Sequence, residues 1–147
     1  MCIRDSDITS SIRNEEIAKA ASNLSALSDT RKSLIGIQRN FMPSNNLVAD
    51  GRDMGTVVFP EAELKIFLVA SAEVRAKRRY LELQNRGQEV NMPDLIADIE
   101  SRDFKDRTRT ISPLIPAEDS IVIDSSEMSL EEVLSFTKKL TKKEFNK

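Results

Sequence analysis

Leu47-Val-Ala-Asp-Gly-Arg-Asp-Met-Gly-Thr-Val-Val-Phe-Pro60 is the stretch that decides the fold. A short apolar run, Leu47–Ala49, ends on Asp50. A glycine turn then carries Arg52 and Asp53, and a second glycine follows at Gly55. The pattern reads as a buried strand that stops where a small anion could sit. In open α/β sheets, ligands bind beyond the carboxyl ends of the strands. An arginine there can grip a phosphate with two parallel bonds, and a carboxylate can orient a metal or a sugar hydroxyl. The plainer reading is a charged turn with a local ion pair, and residue types alone do not choose between the two.

Two further apolar runs match the first: residues 65–70 (Lys-Ile-Phe-Leu-Val-Ala) and 120–123 (Ser-Ile-Val-Ile). All three are continuous rather than alternating, which predicts parallel strands buried on both faces. Helical patterns surround them. Residues 12–41 carry Ile17, Ala20, Ala21, Leu24 and Leu27 at three- and four-residue spacing, and Ser28-Asp29 reads as the cap of a second helix with Leu34, Ile37 and Phe41. Residues 42–46 read as a loop. Ser71 can cap a helix to about Asn85, which Gly87 can end. Pro93 can open another helix. Ser129-Leu-Glu-Glu132 is a capping box for a C-terminal helix. Strand, helix, strand, helix is an α/β order.

The whole chain has 147 residues, 22 Lys+Arg against 24 Asp+Glu, 39% hydrophobic and 31% charged residues. That suits one soluble globular domain with no general attraction for polyanions. Histidine is absent, which removes imidazole bases and His-ligated metals. The single cysteine, Cys2, excludes a disulfide framework. No run approaches ~18 apolar residues, so no membrane span is expected. The N-terminus has no signal-peptide pattern, so a cytoplasmic location is expected. Met1–Ser6 shows no periodicity and reads as a non-native leader.

A second constellation is Glu100-Ser-Arg-Asp-Phe-Lys-Asp-Arg-Thr-Arg109. Arg102, Asp106 and Arg109 fall at i, i+4 and i+7, on one helical face. Two cations flanking a carboxylate suit a nucleotide, with phosphate on the arginines and ribose on the aspartate. A solvated helix with i,i+4 pairs explains the same spacing. The basic cluster Arg75-Ala-Lys-Arg-Arg79 likewise reads as a solvated face or a nucleic-acid patch, with only Tyr80 as a neighbouring aromatic.

The wording of these motifs goes further. Asp50-Gly-Arg-Asp-Met-Gly-Thr-Val-Val-Phe-Pro60, Lys65-Ile-Phe-Leu, Ala70-Ser-Ala-Glu-Val-Arg-Ala-Lys-Arg-Arg79, Arg102-Asp103, Asp106-Arg107 and Arg109 before Pro113-Leu114 together resemble the bacterial cytidylate kinases. Ile12-Arg13 and Ala20-Ala-Ser22 extend the match upstream, from about residue 7 to the end. The family are P-loop nucleoside monophosphate kinases that pass a phosphoryl group from ATP, with Mg2+, to CMP or dCMP. The resemblance implies that Ser22, Arg31 and Asp53 contact the cytosine ring. It implies that Arg52, Arg102 and Arg109 hold the phosphates, that Asp106 bonds the ribose hydroxyls, and that Asp50 belongs to the same substrate site. Arg78 and Arg79 would face ATP near the lid. No protein side chain would bind the metal directly, and no nucleic acid or membrane partner is implied. The full-length protein would be a monomer.

The resemblance also implies a partial three-layer fold. Residues 7–46 match the end of the CMP-binding insert with its helices, and 47–147 the core strands, lid helices and C-terminal helix. The family's G-x-x-x-x-G-K-[ST] loop finds no counterpart among Gly36, Gly51, Gly55 and Gly87. In the family that loop follows a first strand lying mid-sheet, between the strands matching Leu47–Ala49 and Lys65–Ala70. The chain taken alone is therefore expected to leave unpaired strand edges and not to convert CMP to CDP. The alternatives are a UMP-directed kinase of the same class and a non-catalytic nucleotide- or RNA-binding fragment.

Overall fold

A computed structural model describes residues 2–3, 6–7, 12, 15–42 and 46–145. The chain divides into two units, Met1–Val48 and Ala49–Lys147, each with its own internal contacts.

In the first unit, β1 (Cys2–Ile3) and β2 (Ser6–Asp7) pair antiparallel, with Cys2 opposite Asp7. Strand β1 and the first residue of β2 fall in the stretch read as a non-native leader. The helical pattern of residues 12–41 splits into α1 (Glu15–Ser25) and α2 (Ser28–Arg39), which touch each other. The expected Ser28 cap is not one. Leu27 occupies the N-cap position, with extended backbone and no side-chain bond, and Ser28 is already helical. The corner is closed instead by backbone bonds, Ala26 N to Asn23 O (3.2 Å) and Leu27 N to Leu24 O (3.1 Å). Leu24, Leu34 and Ile37 remain exposed. Arg13 and the centre of the loop at 42–46 lie outside the described residues.

In the second unit, β3 (Ile66–Val69) and β4 (Ile121–Asp124) form a parallel pair, Ile66 opposite Ile121 and Val69 opposite Asp124. Backbone bonds Ile121 N to Lys65 O (2.9 Å) and Ser125 N to Val69 O (2.8 Å) extend the ladder. Between them run α3 (Ala72–Asn85) and α4 (Met92–Thr108), and α5 (Leu130–Phe145) follows β4. This is the α/β order and parallel sheet read from the sequence. Two expectations fail. Leu47–Ala49 is not a strand: it has no ladder partner among the described residues, and Val48 is 98% exposed. A strand is stable only when its backbone groups are paired. Nor are β3 and β4 covered on both faces, since Leu68 and Val122 are both more than half exposed.

The core lies between α3 and α4. Ala76, Tyr80 and Leu83 recur at four- and three-residue spacing on α3 and meet Leu95, Ile96 and Ile99 of α4, with Val90 and Met92 closing the end. Ala76 and Leu83 are fully buried. Ser71 caps α3 by accepting from Val74 N (3.3 Å), and Gly87, at φ +72°, follows its end in a conformation that side chains disfavour. Asn91 is the N-cap of α4, with Pro93 in the first turn. The capping box of α5 forms in both directions: Glu132 N donates to Ser129 Oγ (3.2 Å), and Ser129 N donates to Glu132 Oε2 (2.8 Å).

Leu83→Ala removes the largest fully buried side chain of this interface and is expected to cost about 3 kcal/mol in denaturant unfolding. Ser71→Ala frees one helix-end donor and is expected to cost about 1 kcal/mol in the same measurement.

Candidate functional site

The site is built where the 50–60 turn meets the C-terminal end of α4. Beyond Asp53 the chain winds into one wide turn, Met54–Val58. The Asp53 carbonyl accepts from Val57 N (2.9 Å) and Val58 N (3.2 Å), and the Met54 carbonyl accepts from Phe59 N (2.7 Å). Bonds spanning five residues make this a π-helical turn, a geometry that concentrates at functional sites. The sequence reading had only a glycine turn here. A Cβ at Gly55 would stand 3.2 Å from Lys65 Cδ, a tight approach to which the lysine stem would have to yield. The Lys65 ammonium in turn donates to the Pro60 carbonyl (2.5 Å) and to Asp119 (2.7 Å), closing the loop onto the segment before β4. Asp53 is buried at the start of the turn, and Arg52 beside it is half-buried.

Asp106 lies in the last turn of α4, and its side chain is only 5% exposed. Three guanidinium groups approach it. Arg52 Nη1 forms an ion pair with Oδ2, Arg109 Nη1 lies 3.4 Å from Oδ1, and Arg102 Nε lies 4.0 Å from Oδ2. The i, i+4, i+7 face read from the sequence therefore exists, with Arg109 at the C-cap and Arg52 arriving from the turn. Arg109 Nε donates to the Ser112 carbonyl (2.5 Å), and Leu114 N donates to the Asp106 carbonyl (2.8 Å). This return of the chain passes through Ser112 at φ +50°, a left-handed conformation that costs about 1–3 kcal/mol in a residue with a side chain. Sequence reading did not single out Ser112.

Three cations around one carboxylate leave the cluster strongly positive. Burial, followed by repulsion from Arg102, lowers Arg52 to about 10, against the pull of Asp103. Burial also lowers Arg109. Arg102 Nε and Arg109 Nη2 are buried with no hydrogen-bond partner among the described residues, whereas Arg52 Nη1 faces Asp106 Oδ2 in the ion pair. Buried donors without acceptors are costly, and a bound oxyanion would satisfy them. The described residues hold no group of three carboxylate, histidine or cysteine side chains that could bind a metal.

The other candidate residues fall elsewhere. Asp50 is exposed at the mouth of the turn. Ser22 and Arg31 belong to the first unit. There Arg31 Nη1 donates to the Ser25 carbonyl (2.8 Å), and Ser25 Oγ donates to the Ser22 carbonyl (2.8 Å), so both lie at the α1–α2 corner. The basic cluster of α3 is not a free solvated face. Arg75 bonds Asp103, Arg78 donates to the carbonyls of Ser125 (2.6 Å) and Met128 (3.3 Å), and Arg79 pairs with Glu82 (2.8 Å). Arg75–Asp103 links residues 28 apart, which spacing rules for a single helix cannot reveal.

Comparison with known proteins supplies the context. The chain is 50% identical to a cytidylate kinase of Pasteurella multocida over 129 residues, 88% of this chain and 57% of the relative. It is 54% identical to cytidylate kinases of Aeromonas hydrophila and Stutzerimonas stutzeri over 128 residues, 87% of this chain and 56% of each relative. The chain thus spans little more than half the length of these relatives. The family model described as cytidylate kinase matches residues 1–143. With the parallel strands, the π-helical turn and the arginine-ringed aspartate in place, the chain belongs to the cytidylate kinase family.

Proposed function

We propose that this chain carries the acceptor-nucleotide part of a site that transfers the terminal phosphoryl group of ATP to CMP or dCMP, giving CDP or dCDP. One observation carries the reading: a buried carboxylate ringed by three arginines, with donors of Arg102 and Arg109 left without acceptors. A phosphate monoester supplies those acceptors and about two negative charges at neutral pH.

In the transfer, a phosphate oxygen of CMP forms a bond to the γ-phosphorus of ATP while the bond from that phosphorus to the β–γ bridging oxygen breaks, and ADP leaves with the electron pair. Such a reaction needs positioning and charge neutralisation more than covalent help. Arg52, Arg102 and Arg109 supply both on the acceptor side. Asp106 bonds the ribose hydroxyls from the centre of the cluster. Asp53 accepts from the exocyclic amine that cytosine has and uracil lacks, with Asp50 at the edge of the site. Mg2+ would enter with ATP and would neutralise charge on its phosphates. Arg78 and Arg79 serve ATP on this reading by exchanging the partners they now hold. A cytoplasmic monomer is part of the same reading, and among the described residues no helix is long and apolar enough to cross a membrane.

Calorimetric titration should show CMP and dCMP binding more tightly than UMP, and Asp53→Asn should reduce that preference by about tenfold or more. RNA binding that weakens with salt and is not competed by CMP would favour a nucleic-acid module instead. The pH profile provides a second check. Arg52 in the free site loses its proton as pH rises through about 10. CMP affinity should be level between about pH 7 and 9 and fall above that, while Arg52→Lys should change the profile.

A further inference from the structure

One guanidinium outside the Asp106 cluster joins three elements. Arg75, beside the core residue Ala76 on α3, donates Nη1 to Asp103 Oδ1 (3.0 Å) and Nη2 to Asp103 Oδ2 (2.5 Å). Its Nε donates to the carbonyl of Ala70 (3.0 Å), the first residue past β3. Arg75 thus ties the carboxyl end of the sheet to α3 and to α4. Asp103 lies on α4 between Arg102 and Asp106 and is 17% exposed. Its charge also reaches Arg52. An exposed single-contact ion pair contributes little, but a forked pair that is half-buried and anchored to a backbone carbonyl fixes geometry.

We propose that Arg75 and Asp103 are a positioning pair for the phosphate subsite, setting the rotation and depth of α4 so that Arg102, Asp106 and Arg109 meet Arg52. The inference rests on the CMP-binding reading above. The pair has a second consequence. Arg75 and Asp103 act on Arg52 with opposite sign and together add no net charge to the cluster. Three arginines against Asp106 then leave a net charge of about +2 that matches a phosphate dianion. Neither Arg75 nor Asp103 touches the ligand on this account.

The test compares CMP with cytidine, which has the base and ribose but no phosphate. Affinities are measured for the 147-residue chain and for Arg75→Met, Asp103→Asn, the double variant and Arg75→Lys, with folding checked by circular dichroism. Arg75→Met is expected to weaken CMP by about tenfold and cytidine by clearly less, because cytidine keeps only the Asp106 contact of α4 and lacks the phosphate. The double variant should lose no more than the single ones, as coupled partners do. Arg75→Lys should not restore binding, because an ammonium cannot make the fork. Asp103→Asn keeps the side-chain shape and carries the test if Arg75→Met does not fold. Equal losses for CMP and cytidine, or an unchanged CMP affinity in a folded variant, would overturn the proposal and leave the CMP reading standing. Failure of the unsubstituted chain to bind CMP would overturn both.

Discussion

The carboxylate of Asp106 is the constraint on which the site depends. It is almost wholly buried, and three guanidinium groups converge on it from two separate stretches of chain. Bringing Arg52, Arg102 and Arg109 together without it would set three cations against one another in a partly desolvated space. Removing one partner of a buried ion pair typically costs about 3–5 kcal/mol, because the remaining charge is left uncompensated. Asp106 makes the cluster possible, and the cluster keeps an excess of positive charge. Burial first, and repulsion from Arg102 second, lower Arg52 to about 10. An incoming phosphate would reverse the repulsion between Arg52 and Arg102 rather than add to it.

The rest of the second unit holds that cluster in place. The α3–α4 core around Leu83 and Leu95 fixes one helix against the other, and Arg75 fixes the end of α4 where the cluster lies. Ser112 and Leu114 turn the chain back over Asp106 and Arg109 at the cost of a left-handed serine. On the other side, Gly55, Lys65 and Asp119 close the π-helical turn that presents Arg52 and Asp53. Together these devices bring two charged segments, about fifty residues apart in the sequence, to one carboxylate.

What the sequence disclosed and what it hid follow from the range of the interactions. Short-range signals read correctly except at Ser28, where Leu27 takes the cap position: the Ser71 cap, Gly87 past the end of α3, Pro93 in the first turn of α4, and the Ser129–Glu132 capping box all involve neighbours within a few residues. The Arg102–Asp106–Arg109 face was legible because helical periodicity alone places it. Leu47–Ala49 misled because an apolar run says nothing of whether a ladder partner is present. The π-helical turn was hidden because its wide bonds leave no spacing rule to read. Arg75–Asp103 was hidden because tertiary packing alone joins residues on different helices. Family resemblance named the site residues that periodicity could not, yet it assigned no role to Arg75, Asp103 or Ser112.

The central claim is that the Asp106 cluster receives the phosphate of the acceptor nucleotide. The most direct measurement is a crystal structure of the chain with CMP bound. The account predicts phosphate oxygens within hydrogen-bond distance of Arg52 and Arg109, with Arg109 Nη2 no longer without an acceptor. A phosphate seated away from these arginines, such as against Arg78 and the start of α5, would contradict it.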